Sequence, residues 1–409
     1  MLKGNVIVGQ SGGPTAVINS SLGGVFKAAK SLGAEKVFGM RNGVEGLLMD
    51  RYIDLEDYIK SDLDIELLKR TPSSFLGSCR FRLPEPALGN EIYVKIFDVI
   101  EKLNVKHFFY IGGNDSMDTI MKLSHYAKMA NSDVTFIGIP KTIDNDLVAT
   151  DHTPGYGSAA KYIASALKEI IRDSKTYETD SVTIVEIMGR NAGWLTAAAA
   201  LSKAEDCSGP DLIYLPEIEF DVDKFLKKVK ELKKDRTALV IAVSEGIKTA
   251  DGKYVCDQYI SGDSEDSFGH IMLGGTALTL ANLVASELKI KTRGIEFSTL
   301  QRCASHLVSR QDITEAYNAG EEAVRAADKG ETGKMIVFER ISQNPYILKT
   351  TAHDIESIAN LEKKVPLEWI TEDGTGISDE FIKYASPLII GELSPFMVDG
   401  LPRHLFIEK

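Results

Sequence analysis

A chain of 409 residues exceeds one ordinary core, so two α/β lobes are the natural division. Hydrophobic residues at 44% and charged residues at 26% describe a globular protein and exclude a disordered one. With 47 basic against 59 acidic side chains the net charge is −12, which disfavours nucleic acid and anionic membranes as partners. Small anionic substrates would require a few Lys and Arg to converge locally against that background.

Val6 to Gly9 reads as a strand, followed by a Gly-rich turn and a helix from about Ala16. His107 to Ile111 repeats the pattern, with Gly112 and Gly113 in the turn and a helix running through Leu123. Val134 to Ile139, Val182 to Ile187, Leu212 to Leu215 and Ala238 to Val243 are further β-rich runs. Phe220 to Lys234 and Ala277 to Leu288 read as helices, and Met335 to Phe338 as a late strand. This alternation predicts parallel sheets built from βαβ units. No Pro- or Gly/Ser-rich linker separates the halves, so the lobes are expected to exchange segments, with the first switch near residue 150. Cys79, Cys207, Cys256 and Cys303 lie far apart, a spacing that predicts reduced thiols instead of a zinc site or disulfide framework. The N-terminus lacks a signal-peptide layout, and the apolar stretch Trp194 to Leu201 is too short to span a bilayer. A soluble cytoplasmic protein is the expectation.

In open α/β sheets ligands bind where strand C-termini meet loops. Gln10 to Thr15 holds Gly12 and Gly13, which let backbone N–H groups approach an anion at a helix start. A tight βα turn without a ligand explains the same residues equally well. Gly112, Gly113, Asn114, Asp115 and Ser116 offer a second phosphate cradle, with Asn114 or Asp115 as oxygen ligands for magnesium. Ordinary helix capping is the competing explanation. Pro140 to Asp146 is the most unusual grouping, placing Lys141, Asp144 and Asp146 in one loop after a strand. Phosphoryl transfer needs an acceptor hydroxyl deprotonated, a metal held and charge neutralised, and this loop supplies those chemical types. Glu186 to Trp194 adds glycines and the guanidinium fork of Arg190.

The motifs GGNDS, PKTIDND, VEIMGR and SEG, with RGIEF and LQR near residue 300, resemble the phosphofructokinases in order and spacing. The resemblance runs from Gly12 to about Arg302. It implies two Rossmann-like lobes with mainly parallel sheets and the active site in the cleft between them. Residues 1–150 would form a phosphoryl-donor lobe, completed by a segment after about 300. Residues 151–300 would form a sugar-phosphate lobe, and 301–409 would return across the lobes and extend beyond them. Asp144 matches the family's catalytic base and Asp146 its second carboxylate. Thr142, Met188, Gly189, Arg190 and Glu245 match positions that hold the sugar phosphate, and Arg293 and Arg302 match arginines on its 6-phosphate. Gly12, Gly13, Arg80, Gly113, Asn114, Asp115 and Ser116 match the donor side, with magnesium near Asn114 and Asp115.

The resemblance also implies which donor is used. Members that use ATP carry GGDGS, where glycine leaves room for the nucleotide's α-phosphate. Here Asp115 occupies that place, and Lys141 stands where those members have glycine. Both substitutions resemble the pyrophosphate-using members. The implied reaction is reversible transfer of a phosphoryl group from pyrophosphate to the 1-hydroxyl of fructose 6-phosphate, giving fructose 1,6-bisphosphate and phosphate, in a homodimer or homotetramer. Three departures stand out: Asn114 replaces a metal-associated aspartate, Ser181 an arginine that reaches a neighbouring subunit, and Thr299 a histidine. Lys291 or His306 would then rebuild the 6-phosphate pocket. The rival readings are an ATP-dependent phosphofructokinase, a non-catalytic phosphometabolite-binding subunit and a dinucleotide-dependent oxidoreductase. The last rests on Gly155 to Ala160, which fits GxGxxA but follows Asp151 to Pro154, a segment that does not read as a strand. No GxxxxGK[ST] motif supports a P-loop kinase.

Overall fold

In the computed structural model, which describes residues 2–256 and 274–407, the strand-like runs assemble into two main sheets. The larger takes β1 (Asn5–Gln10), β2 (Val37–Met40), β3 (Tyr52–Asp54), β4 (Val105–Gly112) and β5 (Thr135–Pro140). Among these strands run α1 (Ile18–Ser31), α2 (Gly43–Leu47), α3 (Asp62–Lys69), α4 (Glu91–Lys102) and α5 (Asn114–Met129). The smaller sheet takes β6 (Ser181–Ile187), β7 (Leu212–Tyr214), β8 (Ala238–Ser244) and β9 (Lys291–Glu296). Its helices are α6 (Tyr156–Ser174), α7 (Trp194–Ala197), α8 (Val222–Leu232) and α9 (Thr276–Leu288). After α10 (Leu300–Cys303), the long α11 (Arg310–Asp328) leads into β10 (Lys334–Gln343) and β11 (Tyr346–Asp354). These two strands rejoin the larger sheet, whose order is β11-β10-β5-β4-β1-β2-β3. A short α12 (Asp379–Ala385) and a hairpin of β12 (Met397–Val398) and β13 (Leu401–Pro402) follow.

Strands β2, β1, β4, β5 and β10 pair in parallel, with β3 and β11 antiparallel at the edges. The smaller sheet, in order β7-β8-β6-β9, is parallel throughout. Side-chain alternation explains why β1 reads as a continuous apolar run. Val6 and Val8 join a core with Leu22 of α1 and Ala323 of α11, while Ile7 joins the opposite core with Ile96 of α4 and Ile120 of α5. A strand covered by helices on both faces has no solvent face to make polar. The same holds for β6, where Val182 and Ile184 face one core and Val185 and Ile187 the other.

The strand order also fixes where ligands can enter. From β1 the chain moves through α1 to β2 on one side, whereas β4 and β5 lie on the other side of β1. Loops leaving β1 and β4 therefore part at their C-terminal ends and open a crevice. Two element boundaries differ from the sequence reading. The first helix starts at Ile18 instead of Ala16. The late strand runs on to Gln343 because it is one arm of a hairpin with β11. Residues beyond that hairpin cross to the smaller sheet's lobe, where Trp369 and Tyr384 pack around Trp194. Among the described residues, no helix is long and apolar enough to cross a membrane.

Candidate active site

The loops after β1, β4, β5, β6 and β8 meet around one cavity of about 410 Å³. On one side Gly12 turns with φ +74, a conformation that side chains rarely adopt. A Cβ at Gly112 would overlap Ser116 Oγ, so glycine is what lets the β4 turn close tightly. The hydroxyls of Ser11 and Ser116 share a hydrogen bond that ties the two turns together. No side chain caps the start of α5, whose sixteen-residue dipole favours an anion there.

The loop after β5 forms the floor. Lys141 is 2% exposed, and its ammonium donates to the Gly13 carbonyl at 2.7 Å. Burial holds its pKa down to about 8, with Arg302 and Arg80 adding to the effect. Asp144 accepts a long hydrogen bond from Thr142 Oγ1 at 3.4 Å, and its own N–H donates to that hydroxyl at 3.1 Å. Burial pushes the Asp144 carboxyl above the usual range, against the pull of Lys141 and Arg190. Burial raises Asp146 to about 7, and the charge of Asp144 adds to that. Burial thus favours the protonated form of both carboxyls, the direction that suits a group taking up a proton.

The other wall comes from the smaller sheet. Gly189 N–H donates to Glu245 at 3.2 Å, and burial raises that carboxyl to about 7. Arg190 Nε is buried with no hydrogen-bond partner among the described residues, a donor in want of an acceptor. Met188, Arg190, Glu245, Arg80 and Arg302 also line an adjoining chamber of about 320 Å³, where Thr299 sits. Lys141, Arg80, Arg190 and Arg302 thus converge in a protein of charge −12, the local cation cluster that anionic substrates require.

Of the residues singled out from the sequence, Gly12, Gly13, Arg80, Gly113, Asn114, Asp115, Ser116, Lys141, Thr142, Asp144, Asp146, Met188, Gly189, Arg190, Glu245 and Arg302 line the main cavity. Arg293, expected from the resemblance to engage the 6-phosphate, lines neither this cavity nor the adjoining chamber. It lies on the outer side of edge strand β9, 55% exposed, with its guanidinium 3.7 Å from Asp173. Lys291 and His306 are likewise exposed and outside both chambers. Asn114, expected near the metal, lines the cavity with its amide bonded to the C-terminal segment. Its Oδ1 accepts from Asn360 N–H at 2.6 Å and its Nδ2 donates to the Leu361 carbonyl at 2.6 Å. Asp115 is paired with Arg82 at 3.2 Å. Around Gly155 no strand precedes the helix, and Asp312 already takes the N–H groups of Gly155 and Ser158 at 2.9 and 2.8 Å. That helix end is filled by a carboxylate, which removes the dinucleotide reading.

Sequence reasoning missed Glu362, which lines the cavity from the C-terminal segment. Its setting, Leu361 to Pro366, reads locally as a solvated charge run and gives no signal of a site. Among the described residues no three His, Cys, Asp or Glu side chains converge as a metal cage. The single carboxylates around the cavity instead suit a hard divalent ion that takes one or two of them and completes its shell with phosphate oxygens and water.

Two mainly parallel sheets opening on one cleft, with glycine turns and an acid–lysine loop facing a cluster of arginines, define a two-lobed α/β phosphotransferase. The phosphofructokinase family model matches residues 5–306, and the chain belongs to that family. It is 40% identical, over 100% of its own length and 97% of the relative's, to a protein of Halomonas elongata named pyrophosphate–fructose 6-phosphate 1-phosphotransferase. A protein of Xanthomonas campestris with the same name is 41% identical, with the same two coverages. Among solved structures, the pyrophosphate-dependent phosphofructokinase of Nitrosospira multiformis matches with a TM-score of 0.87 and 38% identity, over 98% of this chain and 95% of that one.

Proposed function

We propose that this chain transfers a phosphoryl group reversibly from pyrophosphate to the 1-hydroxyl of fructose 6-phosphate, giving fructose 1,6-bisphosphate and phosphate. The observation that carries the reading is the position of Asp144. It lies beside Lys141, between the glycine turns of β1 and β4 and the Met188, Arg190 and Glu245 wall. Full-length relatives bearing the name of this reaction support it.

In the proposed mechanism Asp144 takes the proton of the 1-hydroxyl. That oxygen forms a bond to the terminal phosphorus while the bridging P–O bond breaks, and phosphate leaves with the electron pair. Lys141 and the N–H groups of the Gly12 and Gly113 turns meet the charge on the equatorial oxygens. Thr142, Met188, Gly189, Arg190, Glu245 and Arg302 hold the sugar phosphate, so that catalysis is positioning plus electrostatics. Magnesium, when bound, neutralises the diphosphate oxygens, and Asp115 and Asp146 are the carboxylates assigned to its side. Residues 1–150, with α11, β10 and β11, act as the donor lobe and residues 151–300 as the sugar lobe. A homodimer or homotetramer in the cytoplasm completes the proposal.

Pyrophosphate is favoured over ATP by Asp115, whose carboxylate is held at the donor turn by Arg82. A coupled assay for fructose 1,6-bisphosphate, offering pyrophosphate and ATP separately with magnesium, tests the reading. Turnover with pyrophosphate alone is expected. Turnover with ATP alone overturns the donor assignment, and silence with both overturns the reaction.

A further inference from the structure

After β11 the chain crosses the cleft as a strap. On the donor side its hold is the amide of Asn114, which grips the backbone of Asn360 and Leu361 at 2.6 Å each, while Asn360 Nδ2 donates to Asp118 at 3.1 Å. In the middle, Lys363 N–H donates to the Asp146 carbonyl at 2.7 Å, and its ammonium donates to the carbonyls of Thr150 and Asp151 at 3.0 and 2.9 Å. On the far side Trp194 Nε1 donates to the Lys363 carbonyl at 2.9 Å, and Val365 N–H donates to Glu217 at 3.0 Å. Asn360, Leu361, Lys363 and Val365 are therefore fastened to the donor turn, the acid loop and the smaller sheet's lobe.

Glu362 lies between these ties, and it is the strap's side chain in the main cavity. Its charge acts on both Asp144 and Asp146. Among the described residues no hydrogen bond or ion pair engages its carboxylate. The other donor-side acid, Asp115, is already paired with Arg82, and the Asn114 amide is spent on the strap itself. The strap holds this exposed carboxylate at the cavity wall, within electrostatic reach of two others. A cation entering the cavity relieves that like-charge repulsion, and pyrophosphate brings such a cation with it.

Resting on the pyrophosphate reading above, we propose that Glu362 is a binding residue of the donor site. Its carboxylate would offer an oxygen to the divalent ion that accompanies pyrophosphate, from the strap that is tied to the acid loop. The strap then supplies the charge that Asn114 cannot, and Asn114 serves by positioning it. Glu362 acts on the donor and not on the sugar, so its effect is read without turnover.

The test is the affinity of the Mn2+–pyrophosphate complex for the protein in the absence of sugar, followed by equilibrium dialysis that measures protein-bound Mn2+ directly. Glu362→Gln keeps the shape of the side chain and every backbone tie of the strap. It is expected to weaken Mn2+ binding about tenfold, which corresponds to about 1.4 kcal/mol. Glu362→Asp, which keeps the charge, should restore most of the loss, and both variants should melt at the parent temperature. Equal Mn2+ affinity in parent and Gln variant overturns the assignment of Glu362. If the parent turns over with pyrophosphate in the coupled assay, that failure leaves the reaction standing. A parent that takes up no Mn2+ with pyrophosphate overturns both.

Discussion

The Lys141 ammonium donates to the Gly13 carbonyl at 2.7 Å, and this one contact joins the loop after β5 to the loop after β1. A buried cation satisfied by a backbone oxygen remains charged while still facing the cavity. It sits where both the donor and the acid loop can use it.

Lys141→Met should therefore remove a charge stabiliser and unpair the Gly13 carbonyl. The expected loss in kcat/KM for pyrophosphate is about 10²–10³-fold, with a smaller effect on fructose 6-phosphate binding. Because burial holds Lys141 down to about 8, its charge is lost as pH rises through that value, and kcat/KM should fall on the alkaline side of pH 8. An alkaline limb that persists unchanged in Lys141→Met would show that another group produces it.

Asp144→Asn keeps the size of the side chain and removes the base. Turnover should drop about 10²–10⁴-fold, while calorimetric affinity for fructose 6-phosphate stays within a few-fold of the parent. A folded variant with parental turnover would end the base assignment.

Asp115→Gly breaks the pair with Arg82 and empties the space beside the donor turn. The ratio of kcat/KM for ATP to that for pyrophosphate should rise by about an order of magnitude, the worth of one removed charge clash. An unchanged ratio would locate donor choice elsewhere.

His152 tests the acid loop's foundation. Its ring lies 2.8 Å from Asp151 and 2.7 Å from Glu315, and Arg340 pairs with Asp151 at 2.7 Å. Although burial opposes the charge, Glu315 and Asp151 prevail and hold the imidazolium up to about 9. The folded state binds this proton more tightly than the unfolded chain, so the contribution is full below about pH 6.5 and lost as pH rises through about 9. Melting temperature should decline between pH 7 and pH 10. His152→Ala should destabilise the protein by about 3–5 kcal/mol at pH 7, because the buried Glu315 carboxylate loses its cation while Asp151 keeps only Arg340. That variant should also show a flatter alkaline decline.

The acid loop and both glycine turns were legible in the sequence because each is a contiguous stretch at the end of a strand. Asp144 and Lys141 lie three residues apart, and one βα unit presents both. Arg293 shows the limit of spacing. It stands nine residues before Arg302, but alternation along β9 turns it outward while Arg302 reaches the cleft from α10. Glu362 and the Asn114 amide were beyond reach for a different reason. Their partners lie 216 to 247 residues away, and only the crossing of the strap brings them together.

The return of β10 into the larger sheet has a consequence for how the molecule comes into being. A chain made from its N-terminus can form β1, β2, β4 and β5 early, but the place beside β5 stays empty until residue 334 has been synthesised. By then the whole smaller sheet has emerged, so the first lobe to begin is the last to close. Assembly rewards contacts of very large sequence separation, which is slow. An exposed edge on β5 during that interval is the surface a chaperone would need to shield.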